Sequence, residues 1–178
     1  MRALEITVKA IDSLNEWVGR ITAWLTLTTV LVCFTVVVMR YAFSSGFIWL
    51  QELYVWQHAV VFMLGAGYTF LHGGHVKVDI FYGRSSPRRQ AVIDIIGTFI
   101  FLFPWLIVLV AFSIPYVTSS WAIREASSQS GGLQGYYLLK SVIWVFAVLV
   151  GIQGLSLVLK RVLFLMGREE YSPEPASH

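Results

Sequence analysis

The chain has little cysteine and little charge. Cys33 is its one cysteine. Asp, Glu, Lys and Arg together make up 13% of its 178 residues, where soluble domains carry roughly 25%. A single cysteine excludes an internal disulfide and a cysteine-based metal site. The low charge argues against a soluble domain, and a hydrophobic fraction of 57% indicates that the chain folds in a membrane.

Charge is missing altogether from four long stretches. They are residues 21–39, 53–71, 95–123 and 141–159. Their lengths are 19, 19, 29 and 19 residues, and a helix needs about 20 apolar residues to cross a bilayer. We therefore predict an all-α membrane protein with four transmembrane helices. The third helix is expected to run over about 95–121, and the membrane domain as a whole over 21–167.

The 13 Lys and Arg residues are distributed unevenly among the segments that connect these stretches. Ten lie before residue 21, between residues 71 and 95, or after residue 159. The remaining three are Arg40, Arg124 and Lys140. Because basic residues accumulate on the cytoplasmic side, both termini are predicted to be cytoplasmic. This topology also accounts for the net charge of +3, so we expect contact with membrane lipids and no binding of nucleic acid.

Two segments next to the spans have helical patterns of their own. Residues 1–20 carry apolar side chains at helical spacing, which predicts an amphipathic helix along the cytoplasmic interface. Ser86 followed by Pro87 is typical of a helix start and predicts a short interfacial helix before the third span. Pro104 is expected to kink the span that follows.

Two other segments carry turn-forming or polar residues. Residues 127–132 are rich in Ser and Gly, which predicts a flexible external loop. Residues 168–178 include two prolines and are predicted to form a disordered cytoplasmic tail.

The uncharged spans exclude several functions. A secondary transporter usually binds its solute with ionisable groups or broken helices inside the membrane, and this chain has no such charged residue. We therefore do not expect it to carry a charged solute alone. No spacing of residues indicates a phosphate loop, a zinc site or a nucleophilic triad, so the prediction is a protein that is not an enzyme and binds no cofactor or metal.

His58 is the one titratable residue well inside a span. One interpretation is a neutral imidazole that forms a hydrogen bond across a helix interface. The alternatives are a proton relay or an axial haem ligand, and the haem ligand would make the chain the membrane-anchor subunit of a redox complex. A second histidine at matching depth would be needed, and His72 and His75 lie at the opposite end of the same span.

Small residues and one charge pair suggest how the helices pack. Gly65-Ala66-Gly67 in the second span provides a small face for close helix contact, either within this chain or with a larger partner. Arg40 and Glu52 share one short external connection, so a salt bridge between them is the simplest expectation.

The order of several of these residues is similar to a known family. Arg40-Tyr41, then Trp49 and Glu52, then Gly65 and the stretch from His75 to Asp79 resemble the small, DctQ-like membrane subunit of TRAP transporters, the tripartite ATP-independent periplasmic systems. The likeness covers nearly the whole chain. It implies that these residues are structural or lie at subunit interfaces.

The resemblance also implies a function. A periplasmic binding protein would capture an organic acid anion, and a large permease subunit would import it with sodium ions bound at that subunit. This chain would be the non-catalytic scaffold subunit, in the bacterial inner membrane. Arg124 and Glu125 would then be candidates for docking the binding protein. The loop from Glu125 to Lys140 further resembles small subunits that work with binding proteins for 2-oxo acids and related monocarboxylates.

Overall fold

The structure is a computed structural model that describes residues 2–75, 82 and 85–173. It is helical, as predicted. Within the described residues the named α-helices are α1 (Arg2–Ala42), α2 (Ile48–Leu71), α3 (Pro87–Gly97), α4 (Phe103–Ala122) and α5 (Tyr136–Leu165). A π-helical segment, Thr98–Leu102, joins α3 to α4 without a break, and a short 3-10 helix, Glu169–Tyr171, follows α5.

Three helical runs within the described residues are long and apolar enough to cross a membrane. They are α1, the continuous run from Pro87 to Ala122, and α5. The second predicted span corresponds to α2, which has 24 residues but carries Gln51, Glu52, Gln57 and His58 in its first half. The prediction of four long apolar helices is therefore confirmed for three helical runs, and a span at α2 is not confirmed.

The helical runs α1, α2, α3–α4 and α5 alternate in direction, and α5 lies at the centre of the bundle. It contacts α1, α2, α3 and α4. The α1–α2 hairpin packs on one side of α5, where Gly67 meets Leu149, and the α3–α4 run packs on the other, where Leu102 meets Gly154. We call the end of the bundle with the start of α1 and the end of α5 the inner end, and the opposite end the outer end.

Residues 2–20 do not form a helix of their own. They are the first half of α1, a single helix of 41 residues, so a separate interfacial helix over 1–20 is not confirmed. Gly19 does not interrupt α1, because the ring of Tyr68 lies against it: a Cβ at Gly19 would come within 2.2 Å of Tyr68 Cδ2. Further along, Thr26 and Thr35 donate their hydroxyls to backbone carbonyls one turn earlier, which satisfies these polar groups among apolar neighbours.

The helix predicted before the third span is present but continues into that span. Ser86 precedes α3 and Pro87 is its first residue, as expected. The kink predicted at Pro104 takes the form of the π-helical segment, in which the Phe103 N–H donates to Thr98 O. Proline lacks an N–H and its ring collides with the carbonyl four residues earlier, so the preceding turn widens. A separate interfacial helix is therefore not confirmed here either.

Part of the segment predicted to be a disordered tail is packed against the bundle. Arg168 Nη2 lies 2.7 Å from Glu5 Oε1, and Arg161 Nη1 donates to the Tyr171 carbonyl at 3.1 Å. Both contacts hold the chain after α5 against the inner end. Residues 174–178 lie outside the described residues.

Candidate functional site

A connected group of polar side chains joins α1 to α5 near the inner end. We call it the inner network; its members are Asp12, Asn15, Gln153, Ser156 and Lys160. Asn15 Nδ2 donates to Gln153 Oε1 at 2.8 Å, and Gln153 Nε2 donates to Asp12 Oδ1 at 3.0 Å. Ser156 Oγ also donates to Asp12 Oδ1, and Lys160 Nζ lies 2.7 Å from Asp12 Oδ2.

The three uncharged members of the inner network are shielded from solvent, whereas the side chains of Lys160 and Asp12 are 22% and 24% exposed. Asn15 and Ser156 are 0% exposed and Gln153 is 2% exposed. Buried polar groups are costly unless they are hydrogen-bonded, and here a sliding of α1 along α5 by one turn would separate every donor from its acceptor. The network therefore holds the two helices in one register.

A second buried ion pair joins α3 to α5. Arg161 Nε donates to Asp94 Oδ2 at 2.6 Å, and the Tyr82 hydroxyl donates to the same oxygen at 2.9 Å. Burial, together with the nearby Asp94 carboxylate, raises the pKa of Tyr82 above its usual value of 10.0. The phenol therefore stays neutral at physiological pH and remains a hydrogen-bond donor.

At the outer end, Glu52 binds the loop between α4 and α5. Its carboxylate accepts hydrogen bonds from Ser127 Oγ and from the Leu133 N–H, the latter at 2.6 Å. Glu52 forms no salt bridge with Arg40, so the expected Arg40–Glu52 pair is wrong. The loop supplies two uncharged donors to Glu52, while Arg40 remains exposed at the end of α1.

The same loop is ordered by its own backbone. Ala126 and Gln134 form an isolated antiparallel bridge, and the Tyr136 N–H donates to Glu125 O at 3.0 Å. Gly131 and Gly135 have φ of 79° and 96°, a region that favours glycine, so they make the turns possible. The segment predicted to be flexible is a closed turn held by Glu52.

Arg124 and Glu125, the two candidates for docking, have different environments. Glu125 forms an ion pair with Lys140, whose ammonium also lies 4.0 Å from the centre of the Tyr116 ring. The hydrogen bond from Lys140 lowers the pKa of Glu125, so this carboxylate stays ionised and engaged inside the chain. Arg124 is exposed with φ of 45°, and within the described part of the chain it has no ion pair.

The remaining predicted interface residues are scattered. Tyr41 is exposed at the end of α1, and the Trp49 ring lies near that of Phe47. A Cβ added at Gly65 would meet no heavy atom within 4 Å, so this glycine makes no close contact inside the chain. The His75 ring lies edge-on to Phe70. Asp79 lies outside the described residues.

His58 is exposed on α2, and the described residues provide no hydrogen-bond partner for it. The expectation of a hydrogen bond across a helix interface is therefore wrong within this chain. His72 is at the opposite end of α2 and contacts Glu16 Oε2 at 2.8 Å. The described residues contain no group of three or more side chains able to hold a metal ion.

The sequence predictions missed the inner network. Gln153, Ser156 and Lys160 recur at helical spacing on α5, and Asp12 and Asn15 are three residues apart on α1. These two rows of polar residues at helical spacing indicate that α1 and α5 pack against each other through polar faces. An interfacial helix over residues 1–20 would instead place Asp12 on its polar face, in water.

The fold and these clusters together define a class of protein. Three helical runs are long and apolar, and the polar groups at each end of the bundle bind one another, which is the construction of a helical membrane subunit. The family of DctQ components of tripartite ATP-independent periplasmic transporters matches residues 10–164. The chain belongs to this family of small TRAP transporter subunits. No curated protein and no solved structure matches it.

Proposed function

We propose that the chain is the small, non-catalytic scaffold subunit of a sodium-coupled importer of organic acid anions, with 2-oxo acids and related monocarboxylates as the substrate class. The observation that carries this proposal is the position of its charges. Every described ion pair lies at the inner or outer end of the bundle. The uncharged stretches between them offer nothing to compensate an anion in the membrane, so the solute passes through a partner.

The four-span topology remains part of this proposal. Trp56 of α2 packs edge-on against Tyr136 at the start of α5, and Gly67 packs against Leu149 further along. Because α2 runs beside α5 between these points, it crosses the bilayer with α5. The distribution of basic residues then favours an inner-membrane protein with both termini in the cytoplasm.

The outward face of α2 is the surface we assign to the large permease. Val55, His58, Phe62 and Gly65 lie along one side of the helix at spacings of three and four residues. Val55 and Phe62 are 53% and 69% exposed. Gly65 allows another helix to approach closely, and a partner would also give His58 the hydrogen bond that it lacks within this chain.

Co-purification of a tagged chain with its large permease tests the scaffold function. In mild detergent the wild-type chain is expected to recover the permease in a fixed ratio. Gly65→Leu is expected to lower that ratio about tenfold, because the leucine occupies the gap between the two helices. Its matched control is Ala111→Leu, a small exposed position on α4. A wild-type chain that recovers no permease would refute the scaffold function, whereas equal recovery by the two variants would refute only the assigned face.

We further propose that the periplasmic binding protein docks on the outer loop through Arg124. Its guanidinium is free to bind a carboxylate on a partner, whereas Glu125 is engaged by Lys140. Arg124→Ala is expected to slow uptake in reconstituted vesicles severalfold without changing assembly. Glu52→Ala is expected to slow uptake as well, and to speed hydrogen exchange at the Leu133 amide roughly tenfold or more, since the loop loses its anchor.

Gln51→Ala, next to Glu52, is the control for both measurements. Normal uptake by Arg124→Ala would exclude this arginine from docking. Unchanged exchange at Leu133 in Glu52→Ala would show that the loop does not depend on the carboxylate.

A further inference from the structure

The inner end of the bundle contains a cavity of about 1350 Å³ that the proposed function does not use. Its walls come from the start of α1, the end of α2, the α3–α4 run and the end of α5. The α1–α2 hairpin and the α3–α4 run diverge here, since both pack on α5 and make few contacts with each other. The cavity is the space between the α1–α2 hairpin and the α3–α4 run.

The wall of the cavity nearer the middle of the bundle is apolar. It is formed by Phe70 from α2, Phe101, Leu102 and Trp105 from the α3–α4 run, and Leu157 from α5. Phe101 and Trp105 are 74% and 51% exposed, so this wall continues onto the surface that faces the bilayer. A hydrocarbon chain can therefore reach it from the side, without passing through water.

The wall at the inner end is polar and contains three basic side chains, Lys9, Lys160 and Arg161, together with the acidic side chains of Asp12, Asp94 and Glu170. Lys160 is bound to Asp12 and Arg161 to Asp94. Lys9 has no ion pair among the described residues and is exposed at the edge of the cavity. An ammonium group with no carboxylate partner, on the same cavity wall as a second that has unused N–H donors, is suited to a phosphate group.

We propose that this cavity is a binding site for one membrane phospholipid. The phosphate lies at Lys9 and Lys160, and an acyl chain lies along Phe70, Phe101 and Trp105. Free inorganic phosphate would leave the apolar wall unfilled, whereas a phospholipid matches both walls in the order in which they follow the bilayer depth. The bound lipid joins the two halves of the bundle where their helices do not meet.

Gly97 provides a direct test, because it lines the cavity and a Cβ there would meet no heavy atom within 4 Å. Gly97→Phe therefore has room for its Cβ and places its ring in part of the cavity. The full-length chain, purified alone in mild detergent, is examined by native mass spectrometry for retained phospholipid. We expect one phospholipid on the wild-type chain and at least tenfold lower occupancy on Gly97→Phe.

The matched control is Gly65→Phe, an equally open glycine on α2 that does not line the cavity. It is expected to retain the lipid. Lys9→Gln, a surface change that leaves the helices intact, is expected to lower occupancy about fivefold. Lys9→Gln still tests the lipid site if Gly97→Phe does not fold.

Three results would overturn the proposal. Full occupancy of Gly97→Phe or Lys9→Gln would place any lipid elsewhere. Equal loss from Gly97→Phe and Gly65→Phe would indicate lipid held non-specifically around the helices. A wild-type chain that binds inorganic phosphate but retains no phospholipid would show that the site takes a free anion.

Discussion

Replacement of Gly67 by leucine is expected to destabilise the bundle more than any other single change on α2. A Cβ at this position would lie 2.1 Å from Asn15 Oδ1 and 3.3 Å from Leu149 Cβ, so α1 and α5 both obstruct it. Asn15 would have to move and would lose its hydrogen bond to Gln153. Overpacking costs about 1 to 3 kcal/mol, and a buried amide left without its partner costs about 1 to 3 kcal/mol more.

The measurement is thermal unfolding of the purified chain in detergent, together with its elution profile. Gly67→Leu is expected to melt about 10 °C lower or to aggregate. Gly65→Leu is the control, since it lies two residues away on the same helix and meets no heavy atom within 4 Å. Equal melting temperatures for the two variants would contradict the close packing of α1, α2 and α5 at Gly67.

The second large effect is expected at the ion pair between α3 and α5. The side chains of Arg161 and Asp94 are 10% and 16% exposed. Arg161→Met removes the cation and leaves the Asp94 carboxylate buried without a charge partner, which costs about 3 to 5 kcal/mol. The double variant Arg161→Met with Asp94→Asn is expected to recover most of that loss, because it leaves no buried charge.

Arg20→Met is the matched control for Arg161→Met. Arg20 pairs with Glu16, but the two side chains are 76% and 30% exposed, so this change is expected to cost under about 1 kcal/mol. Free energies of unfolding in detergent and denaturant provide the comparison. A double variant no more stable than Arg161→Met alone would mean that the arginine acts through its packing or its bond to Tyr171, not by neutralising Asp94.

Much of the helical fold is predictable from the absence of charge. A long uncharged stretch can satisfy its backbone in a bilayer only as a helix, so α1, the α3–α4 run and α5 follow from composition. The length of α1 does not follow from composition. Its amphipathic first half has the same pattern whether it lies on the membrane or packs on α5, and only the partners of Asp12 and Asn15 distinguish these arrangements.

The outer end illustrates the same limit on prediction for the candidate site. Arg40 and Glu52 are close in sequence and opposite in charge, which favours a local salt bridge. Glu52 instead binds Ser127 and Leu133, which are 75 and 81 residues away. Propensity and spacing describe neighbours along the chain, whereas these contacts depend on α5 bringing the outer loop to α2. The separate environments of Arg124 and Glu125 depend on the same long-range packing.

The central place of α5 has a consequence for biosynthesis. A ribosome delivers α1 to α4 to the membrane before α5, so the hairpin and the long third helix insert before the element that each of them packs on. During that interval Asp12, Asn15 and Asp94 lack their partners on α5. Arrival of α5 then supplies those partners together, so the contacts that join the two sides of the bundle form only after the last helix has been made.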